Sequence, residues 1–474
     1  MQKVNKWIVL LLLLTASLPR VAALPRSSAV KVKYPGEKCY IFRFTLKDKK
    51  GSAYSLDKPM EFLSAKSLER RNRQNISVDS TDLPVSDVYI RRLKYENVLI
   101  VGTSKWNNTV LVSCADTSSV NRLRRLSFVR SCTRVWESPD SVVPMSRRRD
   151  DPGGFHSWDS IPGLVYGNTT EQLEALGGIA LHREGYRGEG MTIAVLDGGF
   201  ANVDKCAAFK NVRIAGWRDF VFPNSRDIFN ETDHGTKVLS AMAVYAPEVY
   251  IGSAPFASYW LLRCEDQQTE QPVEEDFWAM AAEFADSVGV DIINSSLGYN
   301  EYDDHYGDHY YHEMDGNSTL ISRTASMLAS KGIILVNSAG NSGMGPWKKM
   351  TFPGDAHNAL TVGAVTPSFD NAPFNGVGPT QDGRIKPDLM AIGSPARLVS
   401  SRGTVMEDIG TSFACPLICG LIACLWEALP DKTAIEIIDL ARRSGNNCDH
   451  PDNIFGYGIP DFMKALNMGK EDTE

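Results

Sequence analysis

The sequence predicts a two-part α/β protein: a small α+β unit of ferredoxin-like element order, then a doubly wound domain with a mostly parallel sheet. Three observations carry this expectation. Short, nearly continuous apolar runs between residues 191 and 365 alternate with helical patterns, as expected where a parallel sheet is covered by helices on both faces. A compact series of strand and helix signals fills the first third of the chain. Between the two lies a stretch in which proline, glycine and aspartate break any periodicity.

The chain has 474 residues, 43% of them hydrophobic and 23% charged, with a net charge of −7. These are ordinary globular values. The acidic balance argues against nucleic acid as a partner.

Residues 1–23 read as a signal peptide. Lys3 and Lys6 form a basic start, Trp7 to Leu14 an apolar stretch, and Val21-Ala22-Ala23 a small-residue cleavage site. The apolar stretch is short for a membrane span, so export to a secreted or cell-envelope location is expected, with no membrane span after signal removal. Nine cysteines leave at least one without an intrachain partner. Cys114 and Cys132 are close enough in sequence to pair in an oxidising compartment. Cys415, Cys419 and Cys424 read as small core residues.

Residues 24–136 form the first unit. Cys39 to Leu46 reads as a strand, Pro59 to Gln74 and Val85 to Tyr95 as helices. Asn97 to Thr103 and Thr109 to Cys114 read as strands joined at Asn107-Asn108, followed by a short helix from Ser118 to Leu126 and a strand from Phe128 to Trp136. The order approximates β-α-β-β-α-β with one extra helix. Arg70-Arg71, Arg91-Arg92 and Arg124-Arg125 have few acidic neighbours and read as a solvated face. Residues 137–168 read as a linker, in which Arg147-Arg148-Arg149 is either a processing site or a solvated charge run.

Residues 169–474 form the larger domain. Met191 to Leu196, Tyr259 to Arg263, Asp291 to Ser295, Ile333 to Ser338 and Ala359 to Val365 read as buried strands. Thr236 to Tyr245, Val273 to Ser287 and Leu320 to Ser330 read as the helices between them. Ligands of such sheets bind beyond the carboxyl ends of the strands, and four residues stand there. Asp197 follows the first strand and can orient an imidazole. His234 opens a helix, where it can serve as a general base. Asn341 follows the strand Ile333 to Ser338 and can donate to an oxyanion. Ser412 precedes a helix that is apolar all round and therefore buried. There it reads as the N-cap, close to the positive end of the helix dipole. Each has a bland alternative as a turn or cap residue. Together, in the order Asp, His, Ser at one sheet edge, they point to acyl transfer.

Val195-Leu196-Asp197-Gly198-Gly199, His234-Gly235-Thr236, Ser296-Leu297-Gly298, Ser338-Ala339-Gly340-Asn341 and Gly410-Thr411-Ser412 together resemble the subtilisin-like serine peptidases. Phe374 to Pro379, Lys386-Pro387-Asp388 and Gly456-Tyr457-Gly458 also match that family's pattern. The resemblance covers residues from roughly 170 to 466 and implies a serine endopeptidase with polypeptide substrates. Ser412 would be the nucleophile, His234 the base and acid, and Asp197 its orienting partner. Asn341 and the Ser412 N–H would form the oxyanion hole. Ser296, Leu297 and Gly298 would form one substrate-binding wall, with Ser338, Ala339 and Gly340 opposite. It implies no required cofactor and no catalytic metal, admits structural calcium, and makes the N-terminal unit a candidate intramolecular inhibitor. The competing reading is a catalytically silent binding protein on the same fold.

Three positions depart from the family pattern: Lys237 and Leu417, where a histidine is common, and the turn at Gly198 to Phe200. Pro416 predicts an irregular first turn in the serine helix, since it cannot donate to the Ser412 carbonyl. His305, His309 and His312 would share a face if helical, although no metalloprotease pattern surrounds them. Glu265, Asp266, Glu270, Glu274, Glu275 and Asp276 read either as a solvated acidic loop or, by the resemblance, as a segment bordering the cleft that favours basic residues in the substrate or holds the basic linker at Arg147 to Arg149.

Overall fold

The computed structural model describes residues 32–33, 36–96, 98–142 and 152–472. The expected signal peptide and the Arg147 to Arg149 run lie outside these residues.

The N-terminal unit comprises β1 (Tyr40–Leu46), α1 (Ala65–Arg73), α2 (Asp87–Lys94), β2 (Leu99–Ser104), β3 (Thr109–Cys114), α3 (Ser118–Leu123) and β4 (Val129–Glu137). Its strands form one antiparallel sheet in the order β2-β3-β1-β4. The first two strands are thus separated by the third, the split β-α-β arrangement. Period-two alternation sets its two faces. Phe42, Phe44 and Leu46 of β1 enter the unit's own core, while Ile41 and Arg43 face the larger domain. The expected Cys114–Cys132 pairing is overturned. Cys114 stands opposite Tyr40 and Cys132 opposite Phe44, on strands that flank β1 on either side. Two strand spacings are about 9–10 Å, beyond the reach of a disulfide.

The larger domain carries a seven-stranded parallel sheet in the order β11-β10-β9-β8-β5-β7-β6. Its strands are β5 (Thr192–Asp197), β6 (Arg213–Asp219), β7 (Ser258–Arg263), β8 (Ile292–Ser295), β9 (Ile334–Ser338), β10 (Leu360–Val365) and β11 (Leu389–Ile392). β5 is buried on both faces. Ile193 and Val195 enter one core, and Ala194 and Leu196 the other. Helices α4 (His234–Ala243) and α7 (Thr411–Ala428) pack on the first face, α5 (Val273–Val288) and α6 (Leu320–Ser330) on the second. β7 and β8 lie on opposite sides of β5, so a crevice opens beyond their carboxyl ends. Among the described residues only α7 is long and apolar enough to cross a membrane, yet 89% of it is buried inside the protein. It is the core helix behind the site.

The N-terminal unit docks on α5, and this docking overturns two readings of charge. Arg70 and Arg71 are not a solvated face: each is 1% exposed. Both pair with the buried Asp286 of α5, at 2.6 and 2.8 Å. Arg91, Arg92, Arg124 and Arg125 are exposed as expected. Glu274, Glu275 and Asp276 are not a solvated loop either; all three are buried in the first turn of α5, where Asp276 receives Arg43 at 2.5 Å.

Candidate active site

Asp197 ends β5 and is fully buried. His234 opens α4, with Nδ1 2.9 Å from Asp197 Oδ2 and 3.0 Å from Oδ1. A carboxylate only accepts, so Nδ1 carries the hydrogen and Nε2 is left for chemistry. The close approach depends on Gly235. A Cβ there would stand 2.4 Å from the Gly199 carbonyl oxygen and 2.9 Å from the Asp197 Cβ. Burial disfavours the imidazolium, but the adjacent Asp197 carboxylate outweighs it and, with Glu265, raises His234 to about 9.

Ser412 does not cap α7 as its sequence suggests. Gly410 holds the N-cap position, and Ser412 is the second helical residue. The helix stays continuous through Pro416, whose missing N–H leaves the Ser412 carbonyl without its usual partner. Ser296 Oγ donates to that carbonyl at 2.9 Å, and Ser412 Oγ donates in return to the Ser296 carbonyl at 3.2 Å. Proline thus ties the serine to the loop beyond β8. Among the described residues no hydrogen bond joins Ser412 to His234. The hydroxyl is instead engaged by the Ser296 carbonyl.

Asn341 lies beyond β9. Its Oδ1 accepts from Thr411 N and Thr411 Oγ1, each at 3.0 Å. With the oxygen held, the NH₂ end remains to donate, beside the turn at Gly410. The Ser412 N–H is among the four donors that a helix's first turn leaves without intrahelical partners. These two donors and the Ser412 hydroxyl belong to one turn and its neighbour.

His234, Ser296, Leu297, Gly298, Ser338, Gly340, Asn341 and Ser412 line a single cleft of about 310 Å³. Asp197 stands behind His234. Ala339 is fully buried: its N–H donates to Val362 O and its carbonyl accepts from Thr351 N. It therefore holds the wall in place and does not face the cleft. Gly340 has φ +88, and a Cβ there would meet Thr351 Oγ1 at 2.5 Å, so glycine is required at this bend. Glu265, Gln267, Asn300, Ser342 and Thr351 also line the cleft. Of these the sequence flagged only Glu265. The others carry no motif of their own and arrive with the loops. A larger hollow of about 540 Å³ at Ile161 to Glu407 is lined by no serine, cysteine or histidine.

The departures from the family pattern are structural. Lys237 binds Asp408 at 2.9 Å and Asp233 at 3.6 Å, and Leu417 is buried. The three histidines of residues 305–312 share no helix face. His305 and His312 lie in separate 3₁₀ turns, and His309 points inward to Glu275 at 2.5 Å. Glu301, His305 and Asp308 bring donor atoms within 4.8 Å of one another on the surface. With an imidazole and only two carboxylates, this set suits calcium poorly.

The model for the subtilase family matches residues 188–458, more than half of the chain. The chain belongs to the subtilase family. A second model, the peptidase S8 propeptide domain of Bacteroidota, matches residues 41–149. Subtilisin NAT of Bacillus subtilis subsp. natto is 28% identical over 282 residues, 59% of this chain and 66% of its own length. A subtilisin of Bacillus pumilus is 27% identical over 263 residues, 55% of this chain and 85% of its own. An alkaline protease of Shouchella clausii is 24% identical over 281 residues, 59% of this chain and 65% of its own. The chain spans just under two thirds of the length of Subtilisin NAT.

Proposed function

We propose that this subtilase is an exported serine endopeptidase that hydrolyses peptide bonds through an acyl-enzyme. Ser412 Oγ attacks the substrate carbonyl while His234 Nε2 takes its proton. The oxyanion forms between the Asn341 amide and the Ser412 N–H. The C–N bond breaks, His234 returns the proton to the leaving amine, and water then releases the acid by the same route. Asp197 holds the imidazole tautomer and stabilises its charge. The chemistry needs no metal or cofactor. The N-terminal unit, matched by a propeptide model, would act as an intramolecular inhibitor, and the larger domain as the catalytic one.

The observation that carries this reading is the Asp197–His234 pair opening on the same cleft as Ser412 and Asn341. A relative named an alkaline protease supports the class. The silent-binder reading draws on the Ser412 hydroxyl resting on Ser296. Reaction with a fluorophosphonate probe separates the two. Labelling of the wild type, absent in Ser412→Ala, supports the enzyme. A wild type that never labels once the N-terminal unit has been removed, at any pH up to 10, sinks it.

A further inference from the structure

The buried carboxylates beside the active site have no role in the chemistry above. Glu265 lines the cleft, and its Oε2 lies 3.2 Å from where a Gly198 side chain would begin. Among the described residues neither a hydrogen bond nor an ion pair engages its carboxylate, and the same holds for the half-buried Glu270 side chain. Glu274 is fully buried; its Oε1 accepts from Asp266 N at 2.9 Å, while its Oε2 has no partner. The Tyr299 hydroxyl is likewise buried and unpartnered. Tyr299 stands between Gly298 and Asn300, both of which line the same cleft.

These groups form one electrostatic neighbourhood. Burial, then the charge of Asp197, pushes Glu265 up to about 7 against the opposing pull of His234; burial, then the charges of Glu265 and Asp303, pushes Glu270 up to about 8. Burial with the charges of Glu270 and Glu265 raises Glu274 well above the usual carboxylate range. Burial and the charge of Glu274 likewise raise the Tyr299 phenol. Besides His234, the cation that opposes Glu265 is Arg263, and it is already shared by Asp219, Glu231 and Asp266. A buried acidic group without a paired cation is costly; Glu274 is such a group, and Glu265, whose charge reaches it, is half-buried on the wall of the open cleft.

We propose that Glu265, Glu270, Glu274 and the Tyr299 hydroxyl form a cation-recognising subsite that selects a lysine or arginine side chain of the polypeptide substrate. This rests on the endopeptidase reading above. A long basic side chain suits the layout, laying its apolar stem along Leu297 and carrying its charged head to the carboxylates. A single metal ion suits it less. Among the described residues the only ligand-type cluster closing within 4.8 Å is Glu301, His305 and Asp308, so the carboxylates here are spread too widely for one ion.

The test walks arginine, lysine and their neutral counterparts citrulline and norleucine through four positions on each side of a scissile bond. Hydrolysis by the wild-type protein is measured as kcat/KM. Binding of the same peptides to Ser412→Ala reads the subsite even where hydrolysis is silent. The expected result is a preference of about tenfold or more for the basic residue at one position, the scale of one charge-assisted hydrogen bond. Glu265→Gln and Glu274→Gln should collapse that ratio toward one. Tyr299→Phe, which removes only an unpartnered hydroxyl and so spares the fold, should lower it severalfold. Equal binding of basic and neutral peptides at every position overturns the subsite. Because fluorophosphonate labelling is scored separately, that result leaves the endopeptidase reading standing. A preference that survives the Glu265→Gln/Glu274→Gln pair also overturns it. So does a rise in melting temperature with calcium chloride alone that Glu274→Gln abolishes while no peptide preference exists.

Discussion

Replacing Asp286 by alanine should loosen the N-terminal unit from the larger domain by about 3–5 kcal/mol, the scale of removing one partner from a buried pair. The magnitude follows from what each cation keeps. Asp286 is completely buried and meets Arg70 at 2.6 Å, Arg71 at 2.8 Å and Lys105 at 3.1 Å. Without it Arg71 retains Asp82 at 3.0 Å, and Lys105 retains Ser287 Oγ at 2.9 Å. Arg70 retains no carboxylate, only the carbonyls of Val290 and Lys331 and the Ser67 hydroxyl. One guanidinium is therefore left buried and uncompensated. The assay is urea unfolding of the full chain, in a Ser412→Ala background to prevent self-cleavage, at matched slopes. The paired change Arg70→Met/Asp286→Leu should recover most of the loss, since neither charge is then buried. A loss under about 1 kcal/mol for Asp286→Ala would refute the argument, because Arg70 would have to be solvated.

A histidine raised from 6.5 to about 9 by its carboxylate must lose its proton before it can act as base. Thus kcat/KM should climb with pH toward a midpoint near 9, and Glu265→Gln should move that limb to lower pH; an unmoved limb removes Glu265 from the electrostatics. Stability should run the other way. The pairing favours the folded imidazolium by roughly 3 kcal/mol, fully present below pH 6.5 and lost as pH rises through about 9, so His234→Ala should flatten melting temperature across that window. Gly235→Ala should lower kcat about a hundredfold with a smaller change in KM, because its Cβ cannot coexist with Gly199 O at 2.4 Å and must push the imidazole from Asp197; near-normal kcat would show the helix start to be pliable. Asn341→Ala should cost roughly 10²- to 10³-fold in kcat, as loss of one oxyanion donor does in subtilisin, and a KM effect alone would assign the amide to substrate binding.

What the sequence disclosed depended on whether the determining interaction was local. The strands of the parallel sheet were legible because β5 and its neighbours are buried on both faces and read as unbroken apolar runs. The two edge strands were not: β6 because its alternating burial resembles a loop's mixture, and β11 because it is only four residues long. The Asp, His, Asn and Ser positions were legible because turn glycines mark them. The structure then supplies what no local pattern carries: Gly410 as the cap, the Ser296–Ser412 clasp, and Thr411 orienting Asn341. Charge was read least well. Arg70-Arg71 looks solvated in sequence because its carboxylate partner Asp286 stands more than two hundred residues away. The acidic start of α5 looks like a loop because its burial comes from the docked unit and from residues 299–321.

The central claim, that Asp197, His234 and Ser412 act as one catalytic unit, is tested most directly by comparing kcat for Ser412→Ala, His234→Ala and the double variant on one peptide. If the two residues serve a single proton-transfer and attack step, the double variant is no slower than the slower single one. Losses that multiply would contradict the account, since the serine and the histidine would then be contributing independently.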